Sequence, residues 1–358
     1  MRALRGSLGV WVAWIGPGCR VGALGLLAVL PLCALCAEEL RLERPMRYSG
    51  MCDASGAVAI SSNLFVVASD EDNVLRLYRA DQASMPLREY DCNAFLELEH
   101  KGKSLEADLE AAARIGDRAF WMGSHGRNRA GKLRRNRCRF FATDIKLADG
   151  QVTLTPVGKP CKTLLDDLET DPRYGPFHLE EASLHAPKEK DALNIEGLSA
   201  TPEGHLLVGF RNPVPQQKAL LAPLLNPDEV IAGHPARFDA PILLDLGGLG
   251  IRDMALYQGT YLIIAGSWHG GGPFRLYHWK GPGTPLEPLA VKHLQDYQPE
   301  AIIIYPQTGL REVQILSDDG TRLIDGVPGK LVPDRRLQGF RSFWVVEPAA
   351  APSAQPQR

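Results

Sequence analysis

The sequence carries almost no net charge: 40 Lys and Arg stand against 42 Asp and Glu, a formal balance of -2. A chain so balanced has no global field to draw in nucleic acid or an anionic membrane, so neither is expected as a partner. Beyond the first 37 residues no apolar run approaches the ~20 residues that cross a bilayer, which excludes a membrane span in the body of the chain. There is no Gly-x-Ser-x-Gly elbow and no His-Glu-x-x-His, which argues against an α/β serine hydrolase and a zincin. No glycine-rich loop sits between a strand and a helix to cradle a nucleotide. No cysteine pair or histidine cluster has zinc-finger spacing. Long helices are disfavoured too, because Gly 35 and Pro 27 are both above average usage and favour tight turns.

What is present begins with an export signature. Residues 1–37 contain Arg2, Arg5 and Arg20, no acid, and an apolar run from Val21 to Leu32. A basic start, a short apolar stretch and small residues before the first acid read as a secretory signal over 1–37. Its removal leaves 37 basic against 42 acidic residues, a balance of -5. The mature chain is expected to be periplasmic or secreted. A single domain is expected over 40–347, and a disordered Pro- and Ala-rich tail over 348–358. An exported compartment permits disulfides. Cys138 and Cys161 flank a hairpin with Asp149-Gly150 at its turn, and an unbulged ladder would set them opposite, so a bridge between them is expected. The state of Cys52 and Cys92 is left open.

The chain repeats. Five segments share an acid, an apolar strand, a turn, a second apolar strand and a polar cluster. The acids are Asp53, Glu110, Glu196, Asp253 and Glu300, which are 57, 86, 57 and 47 residues apart. Taking Lys162 to Leu193 as an insertion brings the long spacing to 54. A period near 50 with short strands is the signature of a propeller or a similar array. Runs such as Phe65-Val66-Val67 and Leu262-Ile263-Ile264 are apolar on consecutive residues, as strands buried on both faces must be. Third and fourth strands are expected at Val74 to Tyr78 and Phe95 to Leu98, Lys218 to Ala222 and Ile242 to Leu246, and Phe274 to Trp279 and Leu289 to Val291. The segments Leu40 to Tyr48 and Phe343 to Val346 are left over, and joining them in one blade would close the ring and leave no open edge. The expected fold is therefore all-β, a five-bladed β-propeller with six blades as the alternative, and a small helical insertion around 162–193.

In such a blade the start of strand one and the end of strand two lie on the same face. The repeat thus assigns the five acids to an inner ring. An outer ring follows: Asp70, Glu71, Asp72 and Asn73; Ser124, His125, Arg127 and Asn128; Arg211 and Asn212; Ser267, Trp268 and His269; Ser317, Asp318 and Asp319. Carboxylates crowded round a channel repel one another unless a cation or Arg neutralises them. Arg127, Arg211 and Arg252 are near enough in the repeat to do so. Hard oxygen ligands suit Ca²⁺ or Mg²⁺, with Glu110, Glu196, Asp253 and Glu300 as the candidate ligands. Against this stands the simpler reading that each acid locks blade to blade through backbone amides. Arg127 to Arg139 holds seven basic residues, which could receive a phosphate or another anionic group, against the simpler reading of a solvated loop. His125 beside Ser124 is the candidate general acid or base. Arg211 either holds an anion with Arg127 or pairs with Glu196.

Cys52-Asp-Ala-Ser, Asp70-Glu-Asp-Asn-Val-Leu-Arg-Leu-Tyr, Glu106-Ala-Asp-Leu-Glu, Gly123-Ser-His-Gly-Arg-Asn, Asn194-Ile-Glu-Gly-Leu, Gly209-Phe-Arg-Asn-Pro and Gly247-Gly-Leu-Gly-Ile-Arg-Asp together resemble the bacterial domain-of-unknown-function family numbered 3616. That resemblance implies a propeller-like fold and carries no activity. Asn194 to Gly204 more distantly resembles the esterase-like phytase propellers. Two functions follow: a non-catalytic propeller that binds an anionic small molecule or a protein partner on its carboxylate- and Arg-rich face, and a divalent-metal-assisted hydrolase of phosphoesters.

Overall fold

The computed structural model describes residues 39–100 and 102–348. The signal expected over 1–37 lies outside the described residues, as does all but the first residue of the expected tail. Five four-stranded antiparallel sheets form a five-bladed β-propeller. The inner strands, one per blade, are Ala54–Ala59, Leu109–Ile115, Asn194–Ala200, Gly250–Tyr257 and Pro299–Ile304. The fifth blade takes its outermost strand, Arg41–Ser49, from the start of the described chain and pairs it with Gly339–Val346 near the end. This pairing of two distant segments completes the fifth blade and closes the ring.

Apolar residues run consecutively along these strands because each blade is sandwiched. Phe65 and Val67 pack towards the fifth blade, while Val66 and Ala68 pack towards the second. Phe120 and Met122 face the third blade, and Ala119 and Trp121 face the first. The described residues contain one such core at each of the five blade interfaces. Full burial contributes about 1.5–3 kcal/mol for each Val, Leu, Ile or Phe side chain, so the alternating pattern welds blades together from both faces.

Two helices, Leu164–Thr170 and Leu179–Ala182, lie in the expected insertion. Leu164, Leu168, Tyr174, Leu179 and Ala182 join the core between the second and third blades. The insertion is thus anchored, and its last residues run on to the channel face. Among the described residues no helix is long and apolar enough to cross a membrane.

Two expectations are corrected. The outermost strand of the first blade is Arg88–Asp91, and Phe95 lies in the helical turn Asn93–Leu96. The second correction concerns the hairpin. It turns at Asp149 and Gly150, both at positive φ as a tight hairpin turn requires. Its register then slips between Phe140 and Ala142, so that Cys161 stands opposite Phe140 and not Cys138. Gly158 at φ +65° and Pro160, which lie between the paired residues Val157 and Cys161, break the regular ladder there. All four cysteines among the described residues are free thiols.

Candidate functional site

Near its start every inner strand carries an irregularity, and the third blade's strand has a second one between Asn194 and Ile195. The register slips between Ala54 and Ala57, Leu109 and Ala111, Ile195 and Gly197, Ile251 and Asp253, and Pro299 and Ala301. Such a bulge re-aims the extra side chain out of the ladder. The residues so placed are Ser55 with Gly56, Glu110, Glu196, Arg252 and Glu300. All except Gly56 line one cavity of about 530 Å³ at the channel mouth. Gly56 is required by close approach: a Cβ there would lie 2.5 Å from the backbone carbon of Ala111 in the next blade. Blade one therefore presents Ser55.

This register corrects the expected ring. Glu110, Glu196 and Glu300 meet at the mouth, but the fourth place belongs to Arg252. Asp253, one residue on, turns into the blade interface, where its Oδ2 accepts the Ile302 amide at 2.7 Å. It is buried, and burial holds its carboxyl well above the ordinary carboxylate range. Asp253 is a lock between blades four and five, outside the candidate metal ligands.

One half of the mouth is basic but internally paired. Glu196 Oε1 accepts from Arg211 Nη1 at 2.6 Å and from Asn194 Nδ2 at 2.7 Å. Its Oε2 lies 3.0 Å from Arg252 Nη1, and Arg252 also reaches Glu300. Arg211 Nε donates to the Ser267 carbonyl at 3.1 Å. The Arg211–Glu196 pair weighed from the sequence is thus formed, while Arg211 still borders the cavity.

The other half is acidic and largely unmatched. Asp53, Asp70, Asp108, Glu110 and Asp318 all line it. Asp70 Oδ1 is sealed from solvent without a hydrogen-bond partner. Burial, then the charges of Glu110, Asp53, Asp318 and Asp108, push the Asp70 carboxyl well up. Burial and then Glu196 and Asp108 do the same to Glu110, whose one hydrogen bond comes from Ser55 Oγ at 3.1 Å. Asp53 also rises through burial and Asp318, with Lys330 opposing at 4.0 Å. Asp108 accepts from Ser124 and, at 2.6 Å, from Arg137 Nη1. Burial outweighs both and holds it up at about 7. Oxygens of Asp70, Asp108 and Glu110 lie within 4.8 Å of one another, as do those of Glu110, Glu196 and Glu300, and of Asp53, Asp70 and Glu71. Glu110 belongs to two of these three groups.

The remaining candidates scatter. Asp72 binds Arg76 at 2.5 Å, and the Asn73 side chain ties Asn93, Leu105 and Ala107 together; both are structural. His125 is buried outside the cavity lining. Its Nδ1 lies 2.8 Å from the Gly123 carbonyl, and burial depresses it to about 4. Arg127 also lies outside the lining, donating to the Ser183 and Gly131 carbonyls, and Asn128 caps its own loop. Asn212 holds the insertion, and His269 borders an adjoining pocket.

Sequence reasoning missed Ser55, Asp108, Lys188 and Lys330 as site residues, while Arg129 and Arg137 belong to the basic stretch it weighs for an anion. Asp108 left a weak signal, an acid two residues before Glu110, but it stands just outside the strand at φ +54°, so no strand period places it. Ser55 lies on an inner strand but is re-aimed by its bulge, while Lys188 and Lys330 arrive from the insertion and a short helical turn, where no strand period applies.

Fold and site together define a five-bladed β-propeller with a charge-divided cavity at one channel mouth. Residues 146–302 match the model of the family described as protein of unknown function (DUF3616). A comparison with curated proteins finds no match. Among solved structures, the chain is similar to the Myxococcus xanthus glutaminyl cyclase at 12% identity and a TM-score of 0.45, over 86% of this chain and 99% of that one. It is also similar to a putative oxidoreductase (glucose dehydrogenase) from Thermus thermophilus, at 13% identity and a TM-score of 0.41, over 86% and 100%.

Proposed function

We propose that this chain is an exported ligand-binding propeller, periplasmic or secreted. It takes a divalent cation, Ca²⁺ or Mg²⁺, on the acidic half of its channel mouth and an anionic small molecule beside it. The observation that carries the reading is Asp70 and Glu110: neighbouring carboxylates, enclosed by other acids, that enter no ion pair among the described residues, with only the more distant charges of Arg252 and Lys330 to offset them. Buried carboxylates of like charge are held apart or protonated unless a cation joins them. Ligand oxygens within 4.8 Å of one another suit the 2.3–2.6 Å bonds of calcium. The export assignment rests on the basic-then-apolar start of the chain.

Calorimetric titration with CaCl₂ and MgCl₂ tests it. Wild type is expected to bind one or both, and Asp70→Asn and Glu110→Gln to bind neither. Both substitutions remove repulsion, so the variants should match or exceed wild-type stability without metal, which separates lost binding from unfolding. A wild type indifferent to both ions would overturn the reading.

The second reading, metal-assisted hydrolysis of phosphoesters, is favoured by one feature: Asp108, held near neutrality against Ser124, is suited to move a proton at working pH. Turnover of an aryl phosphate with added metal, lost in Asp108→Asn, would establish it. Ligand binding without turnover leaves the binding reading alone.

A further inference from the structure

Next to the main cavity lies a second pocket of about 360 Å³, walled by the insertion on one side and the loop after Gly266 on the other. Its lining holds four cationic side chains, Arg129, Lys188, Arg211 and Arg252, against one carboxylate, Asp318. Arg211 and Arg252 are already matched by Glu196 and Glu300 behind them. Lys188 and Arg129 are not: among the described residues neither enters an ion pair.

Lys188 is also held in place. Asn212, fully buried, donates its amide to the Pro187 carbonyl at 3.1 Å and to the Glu189 carbonyl at 2.8 Å, one on each side of Lys188. That double anchor fixes the backbone from which the lysine projects. Its ammonium rests on the glycine loop Gly270–Gly272, where all three residues have positive φ. A Cβ on Gly270 would stand 3.0 Å from Lys188 Nζ, so glycine keeps that space open. Partial burial first, then Arg211, Arg252 and Arg129, press the Lys188 ammonium below the ordinary lysine range. Cations assembled without counter-charge lower one another's charge unless an anion joins them.

We propose that this pocket is an oxyanion subsite in which Lys188 and Arg129 grip a phosphate group against the Gly270–Gly272 loop. The proposal rests on the channel mouth being the ligand site, and it names the ligand's class: a small phosphorylated molecule whose phosphate lies beside the cation-holding carboxylates. Phosphate fits better than carboxylate because it offers a second charge and three acceptor oxygens to donors arriving from different walls. Arg129 supplies a planar fork and Lys188 a point charge, the two ways proteins hold phosphate.

The test titrates the full chain with inorganic phosphate, and separately with CaCl₂, by calorimetry. Lys188→Gln and Arg129→Gln are each expected to weaken phosphate binding by about tenfold or more, the loss of one hydrogen bond to a charged group, while calcium affinity stays unchanged. Sodium acetate should bind far more weakly than phosphate. Phosphate affinity unchanged in Lys188→Gln, or acetate binding as well as phosphate, overturns the subsite. Calcium binding with no phosphate binding discards the subsite and keeps the cation reading. Phosphate binding that depends on Lys188, with no calcium binding, does the reverse.

Discussion

The two ends of the channel are built by the same five strands and hold cavities of similar size, about 530 and 420 Å³. At one end the strands open with Ser55, Glu110, Glu196, Arg252 and Glu300. At the other they finish with residues such as Ala59, Ala113, Ala200, Leu256 and Ile304, and Arg114 is the one charged residue of the lining. Even Arg114 is spoken for, donating to the Ala59 and Ile60 carbonyls at 2.7 and 3.1 Å. Cavity size therefore does not separate a site from a packing gap; the chemistry of the lining does. The structural cause is the bulge. All five strands carry one near the polar end, and within the paired residues none carries one at the apolar end. Each bulge frees one side chain from the blade-packing pattern and hands it to the channel.

The largest effect should come from breaking the pairing at the polar end. Glu196→Ala leaves Arg211 and Arg252 buried with their shared carboxylate gone, and such a loss costs about 3–5 kcal/mol. The urea midpoint should fall accordingly. A variant as stable as wild type would mean that solvent already screens these groups.

Asp253→Ala comes next and separates the bulged position from its neighbour. It strands the Ile302 amide at a blade interface, at a cost of about 1–3 kcal/mol. Calcium and phosphate affinity, read by calorimetry, should not change. A loss of calcium binding would return Asp253 to the ring.

The propeller itself was legible because sandwiched strands must be apolar on consecutive residues, and few other folds write that pattern at a period near 50. Closure was legible from two unclaimed segments, Leu40 to Tyr48 and Phe343 to Val346. The ring was legible only in part. A bulge shifts side-chain parity by one and leaves no mark in composition, so Asp253 could be taken for the channel residue when Arg252 is. The hairpin failed in the same way, since a slip near Phe140 undid a symmetry that was sound near Asp149-Gly150. Lys188 was beyond reach because the insertion brings it to the mouth by tertiary packing alone, and Arg129 was legible only as one of seven basic residues, with nothing to say which of them faces the cavity.

A smaller effect is expected at the apolar end. Ile304 is half-buried there, and Ile304→Ala should cost about 1 kcal/mol of transfer energy. Neither calcium nor phosphate affinity should respond. A change in either would mean that the two mouths are coupled through the channel, and the contrast between them would fail.

At neutral pH the smallest effect, close to none, is expected at His125, which lies at the polar end without facing the cavity. Its Nδ1 meets the Gly123 carbonyl at 2.8 Å, and its Nε2 is buried without a partner. Burial, aided by the Arg139 charge and opposed by Gly123 and Asp166, lowers it to about 4, against about 6.5 in an unfolded chain. Between those values the unfolded chain binds more protons than the folded one, so this residue makes stability fall as pH drops. The slope is at most about 1.4 kcal/mol per pH unit. Above pH ~6.5 both states are neutral and the term is absent; below pH ~4 both are protonated and it levels off. His125→Asn removes the titration, and asparagine tolerates the left-handed backbone that this position adopts at φ +57°. The stability of wild type minus that of the variant, measured by urea unfolding, should be flat from pH 8 to about 6.5 and then decline towards pH 4. A difference that stays flat throughout would mean that folded His125 titrates like a solvated imidazole, open to the mouth and available for proton transfer there.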